Sequence, residues 1–253
     1  MTFLRDTGLI YWSQVRANLR NPVWVIIGLM QPIIYLVLFG PLVKGVAPSL
    51  GPGADPWKIL TPALVIQIGL FGALFVGFGI VAEWRAGVIE RQRVTPASRG
   101  ALLLGRVLKD MTVLLVQALV LVGVATAVFG LRPNPGGLVL SLLLIAVMGA
   151  GLASASYALG LWARSEDTLA SLLNSVSVPI MLLSGILLPM TVGPEWLRDI
   201  AKVNPFSHTV DAARALFRGD FGAHEVYVGT AVTIVVSLLL ILVASRSFAR
   251  ENA

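Results

Sequence analysis

Six long apolar segments alternate along the chain with short segments that are charged or rich in Gly and Pro. Lys109 and Asp110, near the start of the third segment, are the only acidic or basic residues within these segments. Each segment has about 20 residues or more, the length an α-helix needs to cross a hydrocarbon layer about 30 Å thick. The pattern predicts an all-α integral membrane protein, a single domain over residues 1–253, with transmembrane helices at 23–43, 59–82, 107–129, 138–162, 169–189 and 226–245.

The composition agrees with a membrane protein. Hydrophobic residues make up 57% of the chain and charged residues 13%, whereas soluble domains average about 25% charged residues. There are no cysteines, which excludes disulfides and thiolate metal sites. The net charge of +6 does not predict a nucleic-acid partner. The basic residues flank the spans, where they set orientation and contact anionic lipid headgroups or a protein partner.

The distribution of basic residues predicts the orientation. Most of the 19 Lys and Arg residues lie in segments on the same side as the N-terminus, and positive charge in short loops favours the cytoplasm. Both termini are therefore predicted to be cytoplasmic. The first apolar segment is too long for a signal-peptide core, so we expect no cleavage.

Residues 1–22 are predicted to form an amphipathic helix in the inner headgroup layer, ended by Asn21-Pro22. The alternative is a charged leader that only sets topology. Helical spacing gives this segment two sides. The apolar side comprises Leu4, Tyr11, Val15 and Leu19. The neighbouring basic and aromatic side comprises Arg5, Trp12, Arg16 and Arg20.

The cytoplasmic loop 83–106 is longer than a simple connection requires. Residues 88–94 are compatible with a short helix, which Thr95-Pro96 would stop because the residue before proline avoids the α region. We predict a docking surface for a soluble partner; the alternative is a solvated, positively charged loop. The predicted coupling residues are Glu90, Arg91, Arg93, Pro96 and Arg99.

Residues 191–225 are predicted to contain two short amphipathic helices on the outer side, Pro194 to Pro205 and Phe206 to Phe217. His208 and Asp211, spaced i,i+3, are interpreted as a helix-face hydrogen bond, because no metal-ligand set can be assembled around them. The predicted interfacial anchors are Trp196, Leu197, Ile200, Phe206, Leu216 and Phe217.

Apart from Lys109 and Asp110, the polar residues inside the predicted spans are uncharged. Asn174 with Ser171 and Ser175, close to a kink expected at Pro179, forms the best candidate for a polar patch facing a transport pathway. The alternative is that Asn174 only hydrogen-bonds neighbouring helices. Small residues at intervals of four, as in Gly69-Ala73-Gly77, predict close helix packing.

Two features bear on the energy source. The sequence contains no Gly-Lys-Ser/Thr of a phosphate-binding loop. It also carries no ionisable residue at mid-depth in a span, where ion-coupled transporters need them. If the chain moves a substrate uphill, the energy must come from another chain.

Two stretches carry a resemblance to a known family. Residues 87–99, leading to 105–110, are similar to the loop of daunorubicin-resistance-type drug permeases, and residues 183–190 with Trp196 and Val203-Asn-Pro-Phe206 resemble a second family signature. With six spans and a basic N-terminal helix, the chain resembles the permease subunit of type-2 ABC exporters.

The resemblance implies that the loop after the second span is a coupling helix seated in a cytoplasmic ABC ATPase. Two ATPase subunits would bind ATP and Mg, this chain would bind no cofactor, and two permeases would pair in a bacterial plasma membrane. The substrate would be an amphipathic small molecule, such as a drug, passing a gate near Leu187 and Met190. A lipid or glycan-lipid exporter and a non-transporting membrane anchor or assembly factor are the alternatives.

Overall fold

The computed structural model describes residues 2–21, 23–46, 55–88, 99–187, 189–190 and 193–250. The regular structure within these ranges is helical, which confirms the all-α prediction. In chain order the helices are α1 (Thr2–Arg20), α2 (Val23–Val46), α3 (Pro56–Leu74), α4 (Gly77–Arg85), α5 (Arg99–Phe129), α6 (Pro135–Ala163), α7 (Glu166–Leu183), α8 (Glu195–Val203), α9 (Pro205–Arg218) and α10 (His224–Arg250).

Five stretches of the described chain are long and apolar enough to cross a membrane. They are Val25–Gly45 in α2, Pro56–Arg85 across α3 and α4, Gly100–Phe129 in α5, Pro135–Ala163 in α6 and His224–Ser247 in α10. The predicted fifth span, 169–189, corresponds to α7, which has 18 residues and begins with two acidic side chains. Its length of about 27 Å is marginal for a crossing, so the count of six spans stays a prediction.

The second span is broken between α3 and α4, at Phe75 and Val76. Ser156 of α6 connects the two ends: its hydroxyl accepts a hydrogen bond from Gly77 N at 2.9 Å and donates to the carbonyl of Leu74. An interrupted helix inside a bilayer must satisfy its freed backbone groups with protein partners. The buried Ser156 hydroxyl meets that requirement.

Helix α1 packs along the first half of α5. Tyr11 Oη lies 3.1 Å from Thr112 Oγ1, and a β-carbon built on Gly105 would lie 2.8 Å from Ile10 Cγ2. The side of α1 that faces α5 therefore includes Thr7 and Ile10. Leu4, at the start of the predicted apolar side, is 77% exposed, and the position of α1 in the headgroup layer stays a prediction.

Helix α9 is enclosed by α3, α6 and α10 and contributes to the protein core. A β-carbon on Gly137 of α6 would overlap the carbonyl of Leu216, so only glycine permits this approach. Leu216, Phe206 and Phe217 are buried, and their predicted role as lipid anchors is wrong. Periodicity shows an apolar face but not what covers it. Trp196 on α8 is 63% exposed, as an anchor requires.

The helix termini group into two opposite ends of the bundle. Trp57, at the start of α3, stacks on Phe129, at the end of α5, with ring centroids 4.3 Å apart. This is the predicted outer end, and α9 lies near it because Asn134 N donates to Phe217 O. The other end, predicted to be cytoplasmic, contains the end of α4, the first half of α5 and the end of α6.

Candidate functional site

Charged side chains of α4 and α5 and a tyrosine of α6 lie close together at the predicted cytoplasmic end. We call this group the inner cluster: Glu83, Arg106, Lys109, Asp110 and Tyr157. Arg106 Nη2 donates to Glu83 Oε2, which joins α5 to the end of α4. The Arg106 side chain is 8% exposed and that of Glu83 29%. The pair is thus largely shielded from the solvent that weakens surface ion pairs.

The carboxylate of Asp110, one turn beyond Arg106 on α5, has a donor at each oxygen. Tyr157 Oη of α6 donates to Oδ2, and Lys109 Nζ donates to Oδ1. Asp110 and Tyr157 are both buried. Two acidic and two basic groups give the inner cluster no net formal charge, which makes its burial tolerable.

A second layer of contacts lies outside the inner cluster, towards the predicted cytoplasm. Arg85 Nη1 and Glu166 Oε1 are 3.3 Å apart, with side chains about half exposed. The Arg164 guanidinium lies 5.7 Å from the ring centroid of Trp84. These contacts link the end of α4 to the α6–α7 connection and the start of α7.

A different arrangement occupies the predicted outer end. We call it the outer cluster: the side chains of Asn204, Asp211 and Arg214 with the carbonyls of Ile59, Ile180 and Gly185. Arg214 is buried. Burial lowers the pKa of Arg214 to about 10, with Asp211 acting in the opposite direction. The guanidinium therefore stays protonated at neutral pH.

The predicted pathway residues lie on one face of α7. Asn174, Ser171 and Ser175 are all exposed on the surface of the single chain, and Ser175 Oγ donates to Ser171 O at 2.8 Å. Leu187 and Met190, after the helix, are half-buried. The structure thus brings the three polar residues together and places the two predicted gate residues just beyond the end of the same helix.

The predicted coupling residues Glu90, Arg91, Arg93 and Pro96 lie outside the described residues, and Arg99 is described only as the first residue of α5. The ends of the described chain on either side are informative, because Glu83 and Arg106 form an ion pair. The predicted docking segment therefore lies between α4 and α5, and these two helices are joined by an ion pair close to the points where the segment begins and ends.

The predicted hydrogen bond between His208 and Asp211 is wrong. His208 Nε2 lies 2.9 Å from Lys202 O, and Asp211 Oδ1 instead accepts from Arg214 Nη1 at 3.4 Å. The i,i+3 spacing places two side chains on one face, but Asp211 has Arg214 at the same spacing in the other direction, and His208 finds a carbonyl on the preceding helix.

Comparison with known proteins resolves the class of this membrane protein. The family model described as ABC-2 type transporter matches residues 5–217, which is most of the chain. The chain belongs to the ABC-2 type transporter family. It is thus a multi-pass membrane permease subunit of the ABC transporter type, and the resemblance drawn from its loop and signature residues is confirmed.

Several curated permeases are similar to this ABC-2 family member. A putative transport permease, ycf38 of Porphyra purpurea, is 24% identical over 200 residues, covering 78% of the chain and 69% of the relative. The inner membrane transport permease YhhJ of Escherichia coli K12 is 29% identical over 171 residues, covering 66% and 46%. The probable multidrug ABC transporter permease YbhR of the same strain is 21% identical over 170 residues, covering 67% and 46%. The chain spans about half the length of these two bacterial relatives.

Sequence reasoning missed the residues that tie the helices of this permease together. Tyr157 was one aromatic residue in an apolar segment, and nothing in the sequence pairs it with Asp110, 47 positions away. Arg214 is one basic residue on a short amphipathic helix, where an exposed position is the ordinary expectation. One signal was available: an ionisable residue close to or inside an apolar segment predicts a partner nearby, and Asp110 satisfies that description.

Proposed function

We propose that this permease exports an amphipathic small molecule across a bacterial plasma membrane, driven by a separate cytoplasmic ATPase that docks on residues 90–99 of the cytoplasmic loop 83–106. Two copies of the permease and two of the ATPase would form the pump. ATP-driven closure of the ATPases would displace the docking segment, and the spans would rock to open the pathway outward. Family membership is the main support, and the relative described as a probable multidrug permease favours this substrate class.

The separate ATPase is supported by the sequence. Its 253 residues contain no Gly-Lys-Ser/Thr, the part of a phosphate-binding loop that contacts the β- and γ-phosphates and Mg²⁺. Mid-depth positions in the predicted spans carry no ionisable group that could bind a coupling ion. Energy supplied from outside the chain is the remaining source for uphill export.

The inner cluster supports a route for coupling, and it is the observation that best links docking to transport. Glu83 precedes the docking segment and Arg106 follows it, and the two are bonded. Asp110, on the same helix as Arg106, is bonded to Tyr157 of α6. A force on the docking segment would therefore reach α4, α5 and α6 together, since α5 is bonded to α4 through Arg106 and to α6 through Asp110.

The exposed polar face of α7 supports a pathway between two permeases. Asn174, Ser171 and Ser175 are exposed on the single chain, and polar groups facing hydrocarbon without a partner are costly. A second copy of the chain, with the pathway between the copies, would cover this face. Neutral walls of this kind suit amphipathic substrates, which bind through shape, apolar contact and a few hydrogen bonds.

The test is reconstitution with and without the partner. The permease purified alone should hydrolyse no ATP, whereas the permease isolated with its co-purifying ATPase should hydrolyse ATP and drive amphipathic dyes into inside-out vesicles. Accumulation by the permease alone under a proton gradient would overturn the proposal. A stable permease that recruits no ATPase would instead indicate a membrane anchor.

A further inference from the structure

Arg214 links three separate parts of the chain at the predicted outer end. Its Nε donates to Ile59 O at 3.1 Å, its Nη2 to Gly185 O at 2.6 Å, and its Nη1 to Asp211 Oδ1 at 3.4 Å. The Arg214 side chain is 5% exposed. Every nitrogen of this planar group has a partner, and no other side chain could reproduce the fork in the same place.

The two carbonyl partners lie at points where the backbone conformation is strongly constrained. Ile59 is in the first turns of α3, whose N-cap Asp55 accepts from Trp57 N. Gly185 follows the C-cap of α7 with φ +72, a left-handed conformation that favours glycine. The positive charge of Arg214 also lies at the carboxyl end of α7, where a cation complements the helix dipole.

Asn204 makes a second connection to the same end of α7. Its Nδ2 donates to Ile180 O at 3.0 Å, and its Oδ1 accepts from Phe206 N at 3.0 Å. The end of α7 is thus bound by one side chain from each end of α9. Since α9 is enclosed by α3, α6 and α10, the last turn of α7 is fixed to the interior of the bundle.

We propose that Arg214 is a positioning residue that holds the segment after α7, residues 184–187, against the start of α3 and so keeps the outer end of the pathway closed at rest. This inference rests on the proposed export function, because that function places the gate at Leu187 and Met190. Opening requires residues 184–187 to move away from α3, and the bonds to Ile59 O and Gly185 O cannot both survive that separation.

The chain is well suited to a direct test because it contains no cysteine. A Leu187→Cys variant carries a single thiol at the predicted gate, and Leu187 is half-buried in this structure. The permease with its ATPase, in right-side-out vesicles without nucleotide, would be treated with a membrane-impermeant maleimide. The rate of thiol modification then reports how often the outer end opens.

Adding Arg214→Gln to this background should increase the labelling rate about tenfold or more, because each lost bond to a charged donor shifts the opening equilibrium by about a decade. Arg218→Gln is the matched control: it removes another guanidinium of α9, whose Nε bonds Asp220 Oδ2 at 2.9 Å and which is 47% exposed. The control should label at the parent rate.

A purely structural role predicts a different result. Arg214→Gln would then lower the thermal stability while leaving the labelling rate of the folded fraction equal to that of the parent, and this result would overturn the inference. If Arg214→Gln does not fold, Arg214→Lys and Asn204→Ala serve instead. Each should label faster than the parent by a smaller factor, and parent-like rates in both would also overturn it.

The same background separates this inference from the export proposal. Trapping the ATPase with a non-hydrolysable ATP analogue should speed labelling of the parent Leu187→Cys variant. Labelling that is insensitive to nucleotide in the parent would contradict the proposed gate. The comparison of Arg214→Gln with Arg218→Gln in the nucleotide-free state would still decide whether Arg214 closes this end.

Discussion

The two ends of the helix bundle are held by different kinds of contact. At the predicted cytoplasmic end, charged side chains bind other side chains, as Arg106 binds Glu83 and Tyr157 binds Asp110. At the predicted outer end, Arg214 and Asn204 bind mainly backbone carbonyls. Side-chain partners can be exchanged by mutation, whereas a carbonyl is present whatever residue carries it. The inner end therefore depends on matched charges, and the outer end depends on the donor geometry of one guanidinium.

The largest effect on stability is expected from a substitution that disrupts the inner cluster. Arg106→Glu places two acidic groups side by side in a largely buried position, and we expect a loss of about 3–5 kcal/mol in the free energy of unfolding. Thermal unfolding in detergent would measure it. The charge swap Glu83→Arg with Arg106→Glu should restore much of that loss, because both partners are side chains.

Arg85→Glu is the matched control for that experiment. Its partner Glu166 is about half exposed, and exposed pairs contribute at most about 1 kcal/mol. A swap that restores nothing, or an Arg85→Glu variant as unstable as Arg106→Glu, would contradict the distinction between the inner cluster and the surface layer.

The corresponding swap at the outer end should fail. Arg214→Asp removes the donors to Ile59 O and Gly185 O, and we expect a loss of about 3 kcal/mol, since bonds from a charged donor contribute about 1.5–3 kcal/mol. Adding Asp211→Arg restores a charge pair but not the fork at that position, so stability should stay low. Recovery to the parent stability would show that the ion pair, not the carbonyls, holds this end.

An intermediate effect is expected at the docking segment. Glu90→Lys should abolish transport while leaving membrane insertion and dimerisation unchanged, because charged contacts in a buried docking groove each contribute about 2 kcal/mol or more. Export and ATPase co-purification would be measured together. Glu195→Lys, at a side chain 91% exposed on the predicted outer side, makes the same charge change and should export normally. If the Glu90→Lys variant exports normally, the loop only sets the membrane topology and does not couple the ATPase to transport.

The smallest effect is expected between the two ends, on α7. Asn174→Leu should change which compounds are exported, with little change in basal ATP hydrolysis, because Asn174 lies on the exposed polar face of the helix. If Asn174 only holds helices together, the result would be a stability loss of about 0.6 kcal/mol and an unchanged substrate range. Resistance to a panel of drugs, compared with thermal stability, separates the two outcomes.

The sequence predicted those parts of the fold that depend on segment length and polarity. The spans at 107–129 and 138–162 lie within α5 and α6, and Gly69 does approach α6, because a β-carbon there would lie 2.6 Å from Ile145 Cγ1. An apolar stretch of sufficient length has few alternatives in a bilayer.

The contacts that connect the helices could not be predicted in the same way. Arg214 donates to the carbonyls of Ile59, 155 positions away, and of Gly185, 29 positions away. Every residue has a carbonyl, so the residue types at these positions do not reveal the contact. The burial of α9 was missed for a related reason: its apolar face fits a lipid surface or a protein core equally well. Local pattern therefore predicted which residues are apolar and helical, but not which helix covers them.

The break divides the second span into two rigid arms that meet at the Ser156 hydroxyl. The outer arm, α3, has 19 residues and the inner arm, α4, has 9, or about 28 Å and 13 Å. A rotation of the short arm by about 10° would carry its far end by about 2 Å, enough to remake the contacts of Glu83. A single hydroxyl bonds both Leu74 and Gly77, so a tilt of α4 relative to α3 would turn about that atom.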